Sequence, residues 1–293
     1  MLFGQFDFFV DHMRLLMLLS FVFLMCSCDS GNNMEPVIAP VEYIDSTRID
    51  ITELLDLGNK PSSLQGLAVY NNKAYQFYSS SVCGVFDLDT KQQVAMLNLP
   101  EGHYGSTEFS HEFKNSSEDI PLLYVGGKMS DKQNPGFVVI NLNTQSISRI
   151  VEFDQPVASQ VLCAFDFQHG IGYSFGYLND DPDHETAPYE VTPFDIETGK
   201  CDIANRFYIK NEGHLQDAVF EGDKIYVITG WNKQWNDMDI PIKIFGIDVE
   251  RKRTFLVMNL GFENNEGEGI ALYKGGFLIS ARKLYKIFHV TYH

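Results

Sequence analysis

The sequence predicts an all-β chain, a five-bladed β-propeller whose last blade is closed by an N-terminal strand; a six-bladed ring is the alternative. Three observations lead there. Three eleven-residue windows align without gaps: QGLAVYNNKAY from Gln65, QDAVFEGDKIY from Gln216 and EGIALYKGGFL from Glu268. Each reads as a strand, a short polar turn and the start of a second strand. The tyrosine that opens the second strand recurs as Tyr75, Tyr124, Tyr173 and Tyr226, with Leu278 fifth, at intervals of 49, 49, 53 and 52 residues. An independent marker, FDLDT, INLNT, FDIET and IDVER, places Asp87, Asn141, Asp195 and Asp248 at intervals of 54, 54 and 53. Two markers in one phase define an internal repeat, and a four-stranded antiparallel unit of about 50 residues is a propeller blade.

The elements follow in chain order. Leu15 to Met25 is an uncharged apolar run, shorter than the roughly 20 residues that span a bilayer and suited to a signal-peptide core. Asp7 and Asp11 are out of place in an export signal, so Met13 is the expected start and Arg14 the positive flank. Ser27-Cys28 resembles a bacterial lipobox, in which the cysteine is lipidated; residues 1–28 are then a lipoprotein signal peptide. Acyl chains contribute about 0.8 kcal/mol per buried CH₂, enough to hold a protein on a membrane of the bacterial cell envelope, periplasmic or surface-exposed. Residues 29–46 are polar and Pro-containing, as a tether is. The propeller domain is expected over 47–293.

Within it, the first repeat divides into strands at roughly 65–70, 74–79, 84–88 and 92–99. Asp, Asn and Thr at the strand ends satisfy hairpin turns through their side chains. The fifth repeat has room for three strands only. Thr47, Ile49, Ile51, Leu55 and Leu57 alternate with polar residues, so this segment is expected to supply the fourth; a short helix over 51–57 is the rival. Cys83, Cys163 and Cys201 are odd in number and irregularly spaced, which argues for buried thiols over a disulfide framework.

Of 293 residues, 22 are basic and 39 acidic, a net charge of −17 that disfavours nucleic acid as a partner. In a propeller the innermost strands converge at a central channel. The repeat alignment therefore predicts that Gln65, Glu108, Gln216, Asp217 and Glu268 line one end of it, with His103 and His214 nearby. Such a cluster is suited to polar ligand binding, to a calcium site or to acid–base work. Calcium would relieve the crowding of carboxylates around Glu268. Trp231 and Trp235, four apart in a polar loop, are candidates for stacking on a sugar or a partner's side chain. The acidic stretch Asn179 to Glu185 lacks the glycine and terminal glutamate of an EF-hand loop and reads as solvated. No Walker, H-E-x-x-H, G-x-S-x-G or dinucleotide glycine motif occurs, and no residue is assigned a catalytic role.

The lipobox together with QGLAVYNNKAYQF and the block from STEFSHEF through DIPLLYVGG resembles the β-propeller lipoproteins of Bacteroidetes, a group that implies no particular activity. Gln65-Gly66-Leu67 and the closing GIALYKGGFLISARKLYKIFHV are similar to the five-bladed glutaminyl cyclotransferases. The acidic N-E-L-E-Y-type motif that carries the catalytic glutamate there has no counterpart in this sequence. The EGIA at Glu268 resembles metal-dependent lactonase propellers, and that resemblance implies a calcium-binding role for Glu268. The resulting expectation is a membrane-tethered propeller that binds a small molecule, glycan, peptide or protein partner. A hydrolase or lyase using the channel carboxylates is the alternative.

Overall fold

In a computed structural model the chain is described over residues 41–44, 46–58, 61–127, 135–157, 162–177, 188–211, 213–230, 241–262 and 265–293. Cys28, the stretch from Asn179 to Glu185, Trp231 and Trp235 lie outside these residues. The described residues form an all-β, five-bladed propeller. In chain order the strands are β1 (Glu42–Ile44), β2 (Ile49–Asp56), β3 (Leu64–Tyr70), β4 (Lys73–Tyr78), β5 (Val82–Asp87), β6 (Gln92–Asn98) and β7 (Ser106–Phe109). Next come β8 (Leu123–Gly127), β9 (Gly136–Asn141), β10 (Ser146–Glu152), β11 (Leu162–Asp166), β12 (Ile171–Tyr177), β13 (Tyr189–Asp195) and β14 (Phe207–Ile209). The remainder are β15 (His214–Glu221), β16 (Lys224–Gly230), β17 (Lys243–Asp248), β18 (Arg253–Asn259), β19 (Gly267–Tyr273), β20 (Gly276–Ala281) and β21 (Lys286–Tyr292).

Blades 1 to 3 are the consecutive sheets β3–β6, β7–β10 and β11–β14. Blade 4 is β15–β18 with β1 added in parallel to β18, so the last residues of the segment read as a tether join a sheet. Blade 5 is β19–β20–β21–β2, and β2 pairs antiparallel with β21 from Ile49 opposite Tyr292 to Asp56 opposite Lys286. The strand expected over 47–57 forms over Ile49–Asp56, after a 3-10 turn at Ser46–Arg48, and the ring closes by joining the beginning of the domain to its end.

The second repeat marker has a physical basis in the turns. Asp87 Oδ1 accepts the N–H groups of Asp89 and Thr90, Asn141 Oδ1 that of Asn143, Asp195 Oδ1 that of Thr198, and Asp248 Oδ1 that of Arg251. Four residues after each marker the backbone turns left-handed, at Lys91 (φ 57°), Gln145 (52°), Gly199 (73°) and Lys252 (52°). That combination reverses the chain between the third and fourth strands of a blade.

Five apolar clusters fill the seams between neighbouring blades. The first-marker tyrosines sit in these seams: Tyr75 and Tyr124 are 2 % exposed and Tyr226 7 %. Tyr75 meets Phe109 edge-on at 4.8 Å, and Tyr124 meets Phe165 at 5.2 Å. Cys83, Cys163 and Cys201 are free, buried thiols; burial pushes each up from its ordinary range.

Candidate functional site

The innermost strand of a blade is a sheet edge, so alternate backbone N–H groups face the axis without a partner in their own sheet. The residues paired with the marker tyrosines and Leu278 set the equivalence: Ala68, Glu108, Ala164, Val219 and Ala271. One residue earlier stand Leu67, Thr107, Cys163, Ala218 and Ile270. Four of those five N–H groups converge on one carboxylate. Asp217 Oδ1 accepts from Thr107 at 3.3 Å and Ala218 at 2.8 Å; Oδ2 accepts from Leu67 at 3.3 Å and Ile270 at 2.9 Å. The fifth, Cys163 N–H, donates to Ser106 Oγ at 2.9 Å. Asp217 is wholly buried and ties blade 4 to blades 1, 2 and 5.

The equivalent positions in blades 1 and 5 are glycines, where the neighbouring inner strands approach too closely for a side chain. A Cβ on Gly269 would lie 2.5 Å from Leu67 Cβ, and one on Gly66 would lie 2.7 Å from the Tyr104 carbonyl. Further along the axis Glu108, half-buried, accepts the N–H of Phe165 at 3.2 Å and that of Phe220. Desolvation pushes both Asp217 and Glu108 well above the usual carboxylate range, against the pull of their N–H donors. These two acids hold the axis together.

The mouth is built by a second device. In blades 1, 4 and 5 the pairing of the inner strand slips at the same place. An extra residue enters between Leu64 and Leu67, between Leu215 and Asp217, and between Gly267 and Gly269. The residues at these bulges are Gln65 with Gly66, Gln216 and Glu268, the three that the sequence windows align. A bulge redirects the side chain it carries. Gln216 Nε2 donates to Glu266 Oε1 at 2.7 Å. Arg282 Nη1 stands 2.6 Å from Glu266 Oε2 and 3.3 Å from Glu268 Oε1, while Nη2 donates to Ser63 Oγ at 3.3 Å. Burial and the neighbouring Glu266 push the Glu268 carboxyl well above its ordinary range, with Arg282 opposing; Glu266 is raised by burial in the same way.

The structure thus divides the expected cluster. Gln65, Gln216 and Glu268 share the bulge position; Asp217 lies beneath them at the axis, and Glu108 deeper still. His103 is exposed in the loop between blades 1 and 2, against Gly105, and His214 opens β15, half-buried and opposite Gly230. Arg282 is the cation that stands beside Glu266 and Glu268. Among the described residues no group of three or more His, Cys, Asp or Glu side chains is gathered to hold a metal ion.

Sequence reasoning missed Glu266 and Arg282. Arg282 stands where the second strand leaves its blade, at the position held by Ser79 in blade 1 and Gly230 in blade 4. The repeat alignment did not single it out, because Lys128 holds the same position in the second repeat.

No protein-family model matches the chain, and no curated protein matches it. Solved structures similar to it include a Myxococcus xanthus glutaminyl cyclase, with a TM-score of 0.51 and 12% identity over 86% of this chain and 98% of that one. A Kuenenia stuttgartiensis hydrazine synthase has a TM-score of 0.43 and 15% identity; 76% of this chain is covered and 63% of the synthase chain. The computationally designed Ika8 protein has a TM-score of 0.40 and 12% identity over 82% of this chain and 99% of that one. At 12% identity the cyclase likeness speaks to the fold alone.

Proposed function

We propose that this is an exported, lipid-anchored propeller of the bacterial cell envelope that binds a small polar molecule, glycan or protein partner at the mouth. The observation that carries the reading is the three bulges in register, which bring Gln65, Gln216 and Glu268 to one level of the ring beside the Glu266–Arg282–Glu268 group. Bulges break inner-strand pairing, so their repetition at one end needs a compensating role, and presenting polar side chains is that role. A binding screen followed by thermal unfolding tests it. A ligand that binds the mouth should raise the melting temperature by mass action, and Gln65→Ala with Gln216→Ala should weaken its affinity about tenfold or more. A ligand whose affinity is unchanged in the double variant binds elsewhere and sinks this reading.

A hydrolase or lyase is the second reading. It is favoured by the pair Glu266 and Glu268, two buried carboxyls sharing one guanidinium, of which Glu268 is the more strongly raised.

The anchor rests on the apolar run ending at Ser27-Cys28. Cys28→Ala should leave the precursor unprocessed or move the protein out of the membrane fraction. Normal maturation and unchanged membrane fractionation of that variant would exclude lipidation at Cys28.

A further inference from the structure

We propose that the outer strand of blade 1, β6, pairs antiparallel with β6 of a second copy of this chain, across a two-fold axis that passes Ala95. This goes beyond ligand binding at the mouth and does not depend on it. An outer strand ends its sheet with an unpaired row of backbone N–H and C=O groups, which proteins normally cover, shorten or charge. The other blades do so. In blade 4 β1 covers β18, and in blade 3 β14 is three residues long. Strand β2 carries Asp50, Glu53 and Asp56, and β10 carries Arg149 and Glu152. Strand β6, QQVAMLN, has seven residues and neither a charge nor a proline. Its Val94 and Met96 are 53 and 43 % exposed. Beside it on the rim stand Ile147 and Ile150 of β10, 38 and 42 % exposed, whose cross-strand neighbours Ile140 and Val138 belong to the core between blades 1 and 2. Of the eleven large apolar side chains exposed among the described residues, four thus lie on two neighbouring outer strands.

The strand's own pattern selects a second copy as its partner. Paired with itself about Ala95, it sets Gln92 opposite the second copy's Asn98, Val94 opposite its Met96 and Ala95 opposite its Ala95. Amides meet amides at the ends, apolar side chains meet in the middle, and Gln93 facing Leu97 is the one mixed pair. Such a contact is isologous, each pair occurring twice. Charge points the same way. At a net −17 two copies repel each other, so they can meet only along a stretch of rim free of acids, and β6 is that stretch. A basic peptide would be drawn instead to an acidic edge such as β2. Two features limit the pairing. Val94 is the extra residue of a bulge, since Ala95 stands opposite Val85 and Gln93 opposite Phe86, and a bulge adds twist. The Asn98 N–H is already taken by Gln145 Oε1 at 2.8 Å. Backbone pairing is therefore confined to the middle of the strand, the buried area stays at the small end for a specific interface, and the dissociation constant is on the order of 10–100 µM.

Sedimentation equilibrium of the full chain, at concentrations from well below to well above that range, tests the pairing. It should show a monomer–dimer equilibrium that strengthens as salt is raised, because salt screens the repulsion between two acidic bodies and no ion pair is lost. The register fixes the decisive variants. Val94→Lys with Met96→Lys sets like charges opposite each other and should weaken dimerisation about tenfold or more. Val94→Lys with Met96→Glu sets opposite charges there and should restore most of it. Both variants change the same two exposed positions, so equal melting temperatures in dilute solution show that the fold is kept. A monomer at every concentration overturns the proposal and leaves the edge to an extended peptide of another protein. A dimer indifferent to the paired lysine changes is held by another surface and overturns it as well. Failure of the opposite-charge variant to recover association overturns the pairing about Ala95.

Discussion

Replacing Asp217 by Ala is expected to leave a protein that no longer unfolds cooperatively at neutral pH. Four buried N–H groups, from Leu67, Thr107, Ala218 and Ile270, lose their acceptor at once. Each stranded donor costs about 1–3 kcal/mol, so the sum is at least about 4 kcal/mol against a total stability of about 5–15 kcal/mol. Asp217→Asn is the sharper experiment because it keeps the shape. Both oxygens of Asp217 accept two bonds each, which fills the lone-pair positions of the carboxylate. An amide NH₂ in place of one oxygen would face two N–H donors, at a cost of about 2–4 kcal/mol or roughly 10 °C in melting temperature. Urea unfolding of the two variants beside Glu108→Gln checks the ranking, since Glu108 serves two N–H groups rather than four. An Asp217→Asn protein as stable as the parent would mean that the native group carries a proton, as desolvation favours, and that the axis is held by other bonds.

This hub explains both what could be read from the sequence and what could not. The blades were legible because their signals are local. An Asp or Asn that caps a hairpin turn, and an aromatic that fills a seam, must recur in every repeat, and Asp87, Asn141, Asp195 and Asp248 do so. The ungapped alignment of Gln65, Gln216 and Glu268 likewise reflected a shared backbone irregularity, now seen as three bulges in register. Asp217 sits next to Gln216 in the chain and was grouped with it at the mouth. The equivalent positions of two other blades are instead glycines, Gly66 and Gly269, where neighbouring inner strands approach closely, and a single carboxylate serves four of the five strands. That is a relation among repeats that breaks their symmetry, and a search for similarity passes over it. Arg282 escaped for the same reason: it bridges Glu266 and Glu268 from a position where two of the other blades have small residues. Glu108 occupies a site that is Ala or Val in the remaining four blades, and the same asymmetry marks it as an axial group instead of a wall of the mouth.

Removing β2 should be as damaging as losing the hub, for a different physical reason. A variant that begins at residue 58 lacks the outer strand of blade 5; one that begins at residue 46 lacks β1 only. Strand β2 buries Ile49 and Leu55, and Leu57 just beyond it is also buried, at 8, 2 and 4 % exposure. Full burial of such side chains contributes about 1.5–3 kcal/mol each, so about 5–9 kcal/mol is at stake before any backbone pairing is counted. The contacts also span the whole domain: Lys286 Nζ meets Glu53 Oε2 at 2.6 Å, Leu57 N–H donates to the Tyr285 carbonyl at 2.9 Å, and Arg48 Nη2 donates to the His293 carbonyl at 2.6 Å. Without them β21 becomes an open edge, and blades 1 and 5 are joined only through their seam and the axis. Loss of β1 removes three paired residues and one buried side chain, Ile44, at a cost of about 2–3 kcal/mol. The expected outcome is therefore a cooperative transition shifted down by several degrees for the protein starting at 46, and none, or aggregation, for the protein starting at 58. A peptide of residues 46–57 added in trans should restore the transition of the shorter protein in a concentration-dependent way, because it supplies the missing strand. Equal melting temperatures for the two truncations would show that the ring does not depend on this closure and that the seams alone hold the blades together.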